Sequence, residues 1–339
     1  MDSQFKIALV GCGGMSKAWV DYAKTRPDTK IVAMVDIKEE CARNAAERAE
    51  IDCGIFTDLE TAIKTTGANV VFDVTIPESH HKVVLTSLKN GCHVFGEKPM
   101  ATSMAEASEM TAAAAKTGKS YAVMQNRRYL PTIRKFRDLI SSGKIGTPGF
   151  MCADFFLGPH FGGFRDAMES PLVLDMAIHT FDQARFIIGD DPVAVYCHEF
   201  NTPGSWYKGD ACAICIFEFA NGSVFCYRGS WCAEGCSTSW ESSWRVQGSN
   251  GTACWDGRGD PVAEVVANAE GFTRKYDKVE SSLDYKGKTG HAGCIEEMFS
   301  SVLESRKAET DCTDNIKSMA MVFAALESSR KKEKIKIVI

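Results

Sequence analysis

The run Phe5-Lys6-Ile7-Ala8-Leu9-Val10 passes directly into Gly11-Cys12-Gly13-Gly14-Met15-Ser16. A short apolar strand that ends on glycines and opens a helix has few structural solutions. Gly11 permits the tight turn, Gly13 lets the backbone approach a bound group, and the small Ser16 keeps helix and sheet close. The pattern Gly11-x-Gly13-x-x-Ser16 departs from a three-glycine fingerprint at its last position. The strand-to-helix context supplies what two glycines alone do not. A helix N-terminus in that setting suits a pyrophosphate, so Gly11, Gly13, Gly14, Met15 and Ser16 are candidate cofactor-binding residues. Asp36 closes the next predicted strand, 30–36, where a carboxylate accepts from a ribose 2′-hydroxyl and repels a 2′-phosphate. NAD is therefore expected ahead of NADP, with Lys38 nearby softening the preference. The competing role for Asp36 is a helix N-cap.

The alternation continues along the chain. Strands are predicted near 54–57, 69–76, 93–96 and 121–125, with helices at 16–26, 38–49, 58–66, 78–90 and 103–117. Strand and helix in turn mean a parallel sheet covered on both faces. After about residue 125 the pattern changes. Helices are predicted at 131–141, 171–188, 291–305 and 313–330. Strands are predicted at 149–157, 193–200, 211–219, 223–231, 242–248 and 335–339, with Asn221-Gly222 as a hairpin turn. A length of 339 residues exceeds one ordinary core. The expected fold class is α/β: an N-terminal Rossmann domain over residues 1–125 with a parallel sheet, then an α+β domain over 126–339 with a mostly antiparallel open sheet.

Composition excludes several partners. Net charge is −5, from 39 basic and 44 acidic side chains, so no basic surface for nucleic acid is expected. No stretch approaches the roughly 20 apolar residues of a membrane helix, and no secretion signal is read at the start, so a cytoplasmic protein is expected. Fourteen cysteines are scattered among apolar residues and read as reduced thiols. Cys212-x2-Cys215 with Cys232-x3-Cys236 has zinc-like spacing. Strand alternation would turn Cys212 and Cys215 to opposite faces, so no metal is expected.

Lys98 follows the 93–96 strand, at the sheet edge where open α/β folds bind ligands. An ammonium there can hydrogen-bond a substrate hydroxyl; an ordinary solvated loop lysine is the alternative. The predicted helix 171–188 opens on Ser170-Pro171 and is mostly apolar. Asp175, His179 and Asp182 lie at i, i+4 and i+7, on one face of an α-helix. Asp175 or Asp182 can hold one imidazole nitrogen and leave the other as a base, with an ordinary pKa of about 6.5. A structural Asp–His bond is the alternative.

With these residues in place, the chain resembles the Gfo/Idh/MocA family, the glucose-fructose oxidoreductases, inositol dehydrogenases and their relatives. The matching stretches are Gly11–Ser16, Thr75-Ile76-Pro77, Gly96-Glu97-Lys98-Pro99, Asn126-Arg127-Arg128-Tyr129 and Asp175-x-x-x-His179. The resemblance implies that Lys98 touches nicotinamide and substrate, that His179 is the acid–base residue and that Asp175 binds substrate or orients it. It adds Thr75, Pro77 and Glu97 to the cofactor side, and Arg128 and Arg165 to the substrate side. In relatives the bond corresponding to Lys98-Pro99 is often cis, and either His80 or His81 matches a recurrent histidine. The resemblance further implies a sugar, glycoside or cyclitol substrate and a homo-oligomer, dimer or tetramer, formed through the open sheet. The expected activity is NAD-dependent transfer between a secondary alcohol and its ketone. Two other readings are glycoside cleavage through transient oxidation and elimination, and a non-enzymatic nucleotide-binding regulator. The stretch Trp231 to Trp244 is expected mainly in the core.

Overall fold

A computed structural model describes residues 4–339 and divides the chain into two compact units. One ends at Asn126 and takes in Lys288–Met319; the other comprises Arg127–Gly287 and Ala320–Ile339.

The first unit carries a six-stranded sheet in which all pairings are parallel. Its strands are β1 (Phe5–Val10), β2 (Thr29–Val35), β3 (Gly54–Phe56), β4 (Val70–Asp73), β5 (His93–Gly96) and β6 (Tyr121–Val123), in the order β3-β2-β1-β4-β5-β6. The intervening helices are α1 (Ser16–Lys24), α2 (Glu39–Ala49), α3 (Leu59–Thr66), α4 (Pro77–Lys89) and α5 (Met104–Thr117). The strands read as near-continuous apolar runs because helices cover both faces. Helix ends follow local chemistry. Asp58 accepts from Thr61 N at 2.8 Å to start α3, and Gly67 closes it at φ +65°. Strand order reverses between β1 and β4, which places the ligand crevice of such a sheet at their C-terminal ends.

The expected boundary near residue 125 assigned everything after it to the second domain. Instead, Lys288–Met319 packs with the first unit. Helix α8 (Gly290–Leu303) brings Phe299 against Phe5, Phe72 and Phe95, with ring centroids 4.9, 5.9 and 5.0 Å away. Edge strand β6 is satisfied by the same segment, with Val123 N donating to Thr310 O at 3.0 Å. A covered face and a paired edge both require this return of the chain.

The second unit holds a nine-stranded sheet, ordered β14-β13-β12-β11-β7-β10-β9-β8-β15. The strands are β7 (Pro148–Phe156), β8 (Pro192–Phe200), β9 (Cys212–Phe219), β10 (Val224–Ser230), β11 (Ser243–Gly248), β12 (Gly251–Trp255), β13 (Val262–Asn268), β14 (Lys275–Glu280) and β15 (Ile335–Lys336). Only β7–β10 is parallel, so the sheet is mostly antiparallel. Strands β12 to β14 were not anticipated; β14 is polar and largely exposed, so alternation is faint. Helix α6 (Pro131–Ser141) lies against α7 (Ala177–Ile188), and Phe181 of α7 packs on Phe217 and Tyr227 at 4.8 and 5.3 Å. The division between units falls within α9 (Cys312–Lys331).

Cys212 Sγ contacts Ser230 Oγ at 3.3 Å and Cys232 Sγ at 3.8 Å, whereas Cys215 Sγ meets Cys197 Sγ at 3.4 Å. The two thiols of the apparent zinc spacing therefore serve different neighbours. Among the described residues no helix is long and apolar enough to cross a membrane.

Candidate active site

In the first unit the glycine loop is built by backbone packing. Gly11 has φ +87°, and a Cβ there would sit 2.5 Å from Val74 O and 2.8 Å from Thr75 N. Those neighbours are backbone, fixed where Val74 N donates to Val10 O at 2.8 Å, so they cannot yield as a side chain would. Gly11→Ala should therefore cost about 3 kcal/mol and weaken NAD binding together with it. Denaturant unfolding and an NAD titration check this; unchanged stability would show that the turn is not constrained as described. Gly13, Gly14 and Met15 are exposed, and a Cβ on either glycine meets nothing within 4 Å. That open backbone ahead of α1 fits a dinucleotide phosphate. Ser16 is buried and donates to Gly13 O at 2.6 Å, the close helix–sheet contact that a small residue permits.

Asp36 accepts from Cys12 N at 2.9 Å and from Lys38 N at 3.0 Å. The carboxylate thus braces the glycine loop and retains acceptor capacity for a ribose hydroxyl. It is not the cap of α2, whose N-cap residue is Lys38.

At the end of β4 the chain buries a carboxylate. Asp73 Oδ1 accepts from Thr75 Oγ1 at 2.6 Å, and Asp73 Oδ2 pairs with His80 Nδ1 at 2.9 Å. The two histidines are placed differently: His80 is buried against Asp73, whereas His81 is a surface partner of Glu109 at 2.9 Å. The signal in the sequence was an acid inside the apolar run Val70-Val71-Phe72-Asp73, which demands a partner. Burial opposes charge on His80, but Asp73, Glu97 and Glu78 outweigh it and raise the imidazole pKa above 6.5. A group raised on folding stabilises fully below its unfolded pKa, and the contribution fades as pH rises through the folded value. Thermal stability should therefore fall from about pH 6 upward, and His80→Asn should flatten that slope while costing about 2 kcal/mol at the acid end. Melting curves across that range test it; an unchanged slope would remove His80 as its source.

Glu97, on the next strand end, turns inward and accepts from Trp19 Nε1 at 2.7 Å. Lys98 follows, half-buried, with a cis bond to Pro99. Pro77 occupies the first turn of α4. Thr75, Pro77, Glu97 and Lys98 thus all lie just beyond the C-terminal ends of β4 and β5, the ligand-binding edge of such a sheet.

In the second unit the predicted helix 171–188 is two structures. Pro171–Met176 is π-helical, and only Ala177–Ile188 is α-helical. Expecting one α-helical face for Asp175, His179 and Asp182 assumed a uniform 3.6-residue period. The wider π turn breaks that period just before Ala177, and such turns concentrate at functional sites. Asp175 lies in the π turn and accepts from Arg165 Nε at 2.7 Å. His179 lies in the first turn of α7, a helix buried from Ala177 to Ile187. Asp182 binds Arg128 through two bonds, Nε to Oδ2 at 2.7 Å and Nη2 to Oδ1 at 2.6 Å.

Arg128, expected on the substrate side, is only 4% exposed. Its bidentate pair with Asp182 ties this segment to α7. Its neighbour Arg127 was not anticipated. Arg127 donates to Trp240 O and lies 3.6 Å from Glu241, which in turn accepts from Gln183 Nε2 at 2.8 Å. Trp231 and Trp244 are core residues, whereas Trp240 is exposed.

Comparison with known proteins agrees with this fold. An oxidoreductase family model with an NAD-binding Rossmann fold matches residues 5–125, and a GFO/IDH/MocA C-terminal domain model matches residues 133–254. An uncharacterised protein, y4oX of Sinorhizobium fredii, is 26% identical over 98% of this chain and 96% of its own length. A 1,5-anhydro-D-fructose reductase from Ensifer adhaerens is 30% identical, over 54% of this chain and 56% of its own. Among solved structures, an oxidoreductase from Agrobacterium radiobacter in complex with NAD+, L-tartaric acid and magnesium superposes with a TM-score of 0.85 at 21% identity, covering 98% of each chain.

Proposed function

The chain belongs to the GFO/IDH/MocA oxidoreductase family, whose first domain binds NAD, and on that premise we propose that it oxidises a secondary alcohol of a sugar, glycoside or cyclitol, or runs the reverse ketone reduction. The observation that carries the reading is the Asp175–Arg165 pair, 2.7 Å apart on and beside the π turn that leads into His179. A polyol presents neighbouring hydroxyls that both donate and accept; a carboxylate and a guanidinium offer the complementary acceptor and donors. The named sugar reductase among the relatives supports the same substrate class.

NAD, when bound, supplies the two-electron acceptor. Gly11, Gly13, Gly14, Met15 and Ser16 would hold its pyrophosphate and Asp36 its ribose, and Thr75, Pro77, Glu97 and Lys98, beyond β4 and β5, would complete the cofactor side. His179 takes the hydroxyl proton as a general base. Lys98 donates to the alcohol oxygen and stabilises the negative charge that develops there. Asp175 and Arg165 orient the neighbouring hydroxyls, which places the reacting one for His179.

The protein acts as a homo-oligomer in this reading. Support comes from the outer face of β8 and β9, where Tyr196, Ile214 and Ile216 stand exposed in a row of apolar side chains. Its thiols suit the reducing cytoplasm, since all fourteen cysteines are free. The test of function is reduction of NAD by a panel of sugars, glycosides and inositols, with the product mapped by NMR. Oxidation at one ring carbon of one substrate group is the expected result. NAD binding with no reduction by any member of a broad panel would overturn the reading.

A further inference from the structure

Three aromatic side chains near Asp175 are left open to solvent: Phe161 at 51%, Phe164 at 68% and Trp240 at 44% exposure. They are not scattered. The Phe161 ring lies 6.3 Å from Trp240, tilted by 58°, and Arg165 spans the other side, its Cζ 5.1 Å from the Phe161 ring and 4.7 Å from Phe164. The same guanidinium donates Nε to Asp175 at 2.7 Å. The aromatic surface is therefore continuous with the residue assigned to the substrate.

The surface is held in place from behind. Phe161 packs on buried Trp231 at 5.7 Å, Trp240 on buried Phe155 at 6.4 Å, and the Trp240 carbonyl accepts from Arg127. Gly162 and Gly163, at φ +67° and +71°, give the loop a backbone that other residues resist, and it brings Phe161 and Phe164 both to Arg165. With Phe161 and Trp240 packed on buried rings, little ordering of these two remains to be done on binding.

We propose that Phe161, Phe164 and Trp240 form a subsite for a second pyranose ring, so that the substrate is a disaccharide-type glycoside rather than a free sugar. The proposal rests on the reading of Asp175 as a substrate-side residue. Three features select a pyranose as occupant. Its C–H face is apolar and weakly electropositive, the partner that the negative face of an aromatic ring prefers. Its hydroxyl edge can accept from the terminal N–H groups of Arg165, whose hydrogen bond to Asp175 among the described residues is made through Nε. An aromatic or alkyl substituent would cover the rings but strand those donors away from water. A carboxylate would set a second negative charge near Asp175.

The experiment compares cellobiose, maltose, lactose, sucrose and trehalose with their component monosaccharides and with phenyl glucoside, as kcat/KM on the NAD-loaded protein. The best disaccharide should exceed its monosaccharide by at least about tenfold. Phe164→Ala and Trp240→Ala should each bring that ratio down toward one. Phe272→Ala, a fully exposed phenylalanine between β13 and β14, should leave it unchanged. Equal efficiency for disaccharide and monosaccharide in the wild type, or a preference for phenyl glucoside over every disaccharide, would overturn the subsite while the dehydrogenase reading stands. If no sugar is oxidised, that reading fails, and binding decides the subsite. Quenching or enhancement of tryptophan fluorescence by a disaccharide, lost in Trp240→Phe, keeps it; no response removes it.

Discussion

His179→Ala should lower turnover on the sugar substrate about a thousandfold while leaving NAD affinity within about twofold. The asymmetry follows from where the residue sits. His179 is on α7 of the second unit, whereas the glycine loop, Asp36 and the residues beyond β4 and β5 are all in the first. Losing a general base removes an interaction realised only as the proton leaves, so kcat falls with kcat/KM and KM moves little. The helix itself should survive. Alanine is the best helix former, and α7 remains anchored by Arg128–Asp182 and by Phe181 on the sheet. A small exogenous base such as imidazole should restore part of the rate. A comparable loss of NAD affinity and turnover would assign His179 to structure rather than chemistry.

Lys98→Met should reduce kcat by about two to three orders of magnitude. The methionine keeps much of the side-chain length and removes the charged donor. The loss differs in kind from that of His179. A donor to the alcohol oxygen binds the ground state weakly and the developing alkoxide strongly, so KM should rise modestly while kcat carries most of the effect. Lys98→Arg should not rescue it, because a planar fork replaces a compact point charge at a site with one oxygen to meet. Stopped-flow rates of reduced-nicotinamide formation under saturating substrate separate these terms. Full activity in Lys98→Met would remove the residue from the reaction.

The parts of the fold that local pattern governs were legible. Strand-to-glycine-to-helix junctions, the run of parallel strands and the Asn221-Gly222 hairpin all report neighbours in sequence. What local pattern does not carry was missed. The return of Lys288–Met319 to the first unit depends on Phe299 finding Phe5, Phe72 and Phe95, contacts separated by hundreds of residues. The π turn at Pro171–Met176 reads as α from composition, since the same apolar residues suit either winding. The partner of Arg128 was hidden for a related reason: sequence shows that the residue is charged, not that Asp182 is waiting 54 positions later. Asp73 could have been read more closely, because an acid in a fully buried strand announces a partner before the partner is known.

The most direct measurement of the central claim uses a substrate deuterated at the oxidised ring carbon, incubated with the protein and NAD, with mass spectrometry of the recovered nicotinamide. One deuterium on the reduced ring is expected for each keto-sugar formed. Product without label in the nicotinamide, or label retained throughout on the sugar, would contradict it.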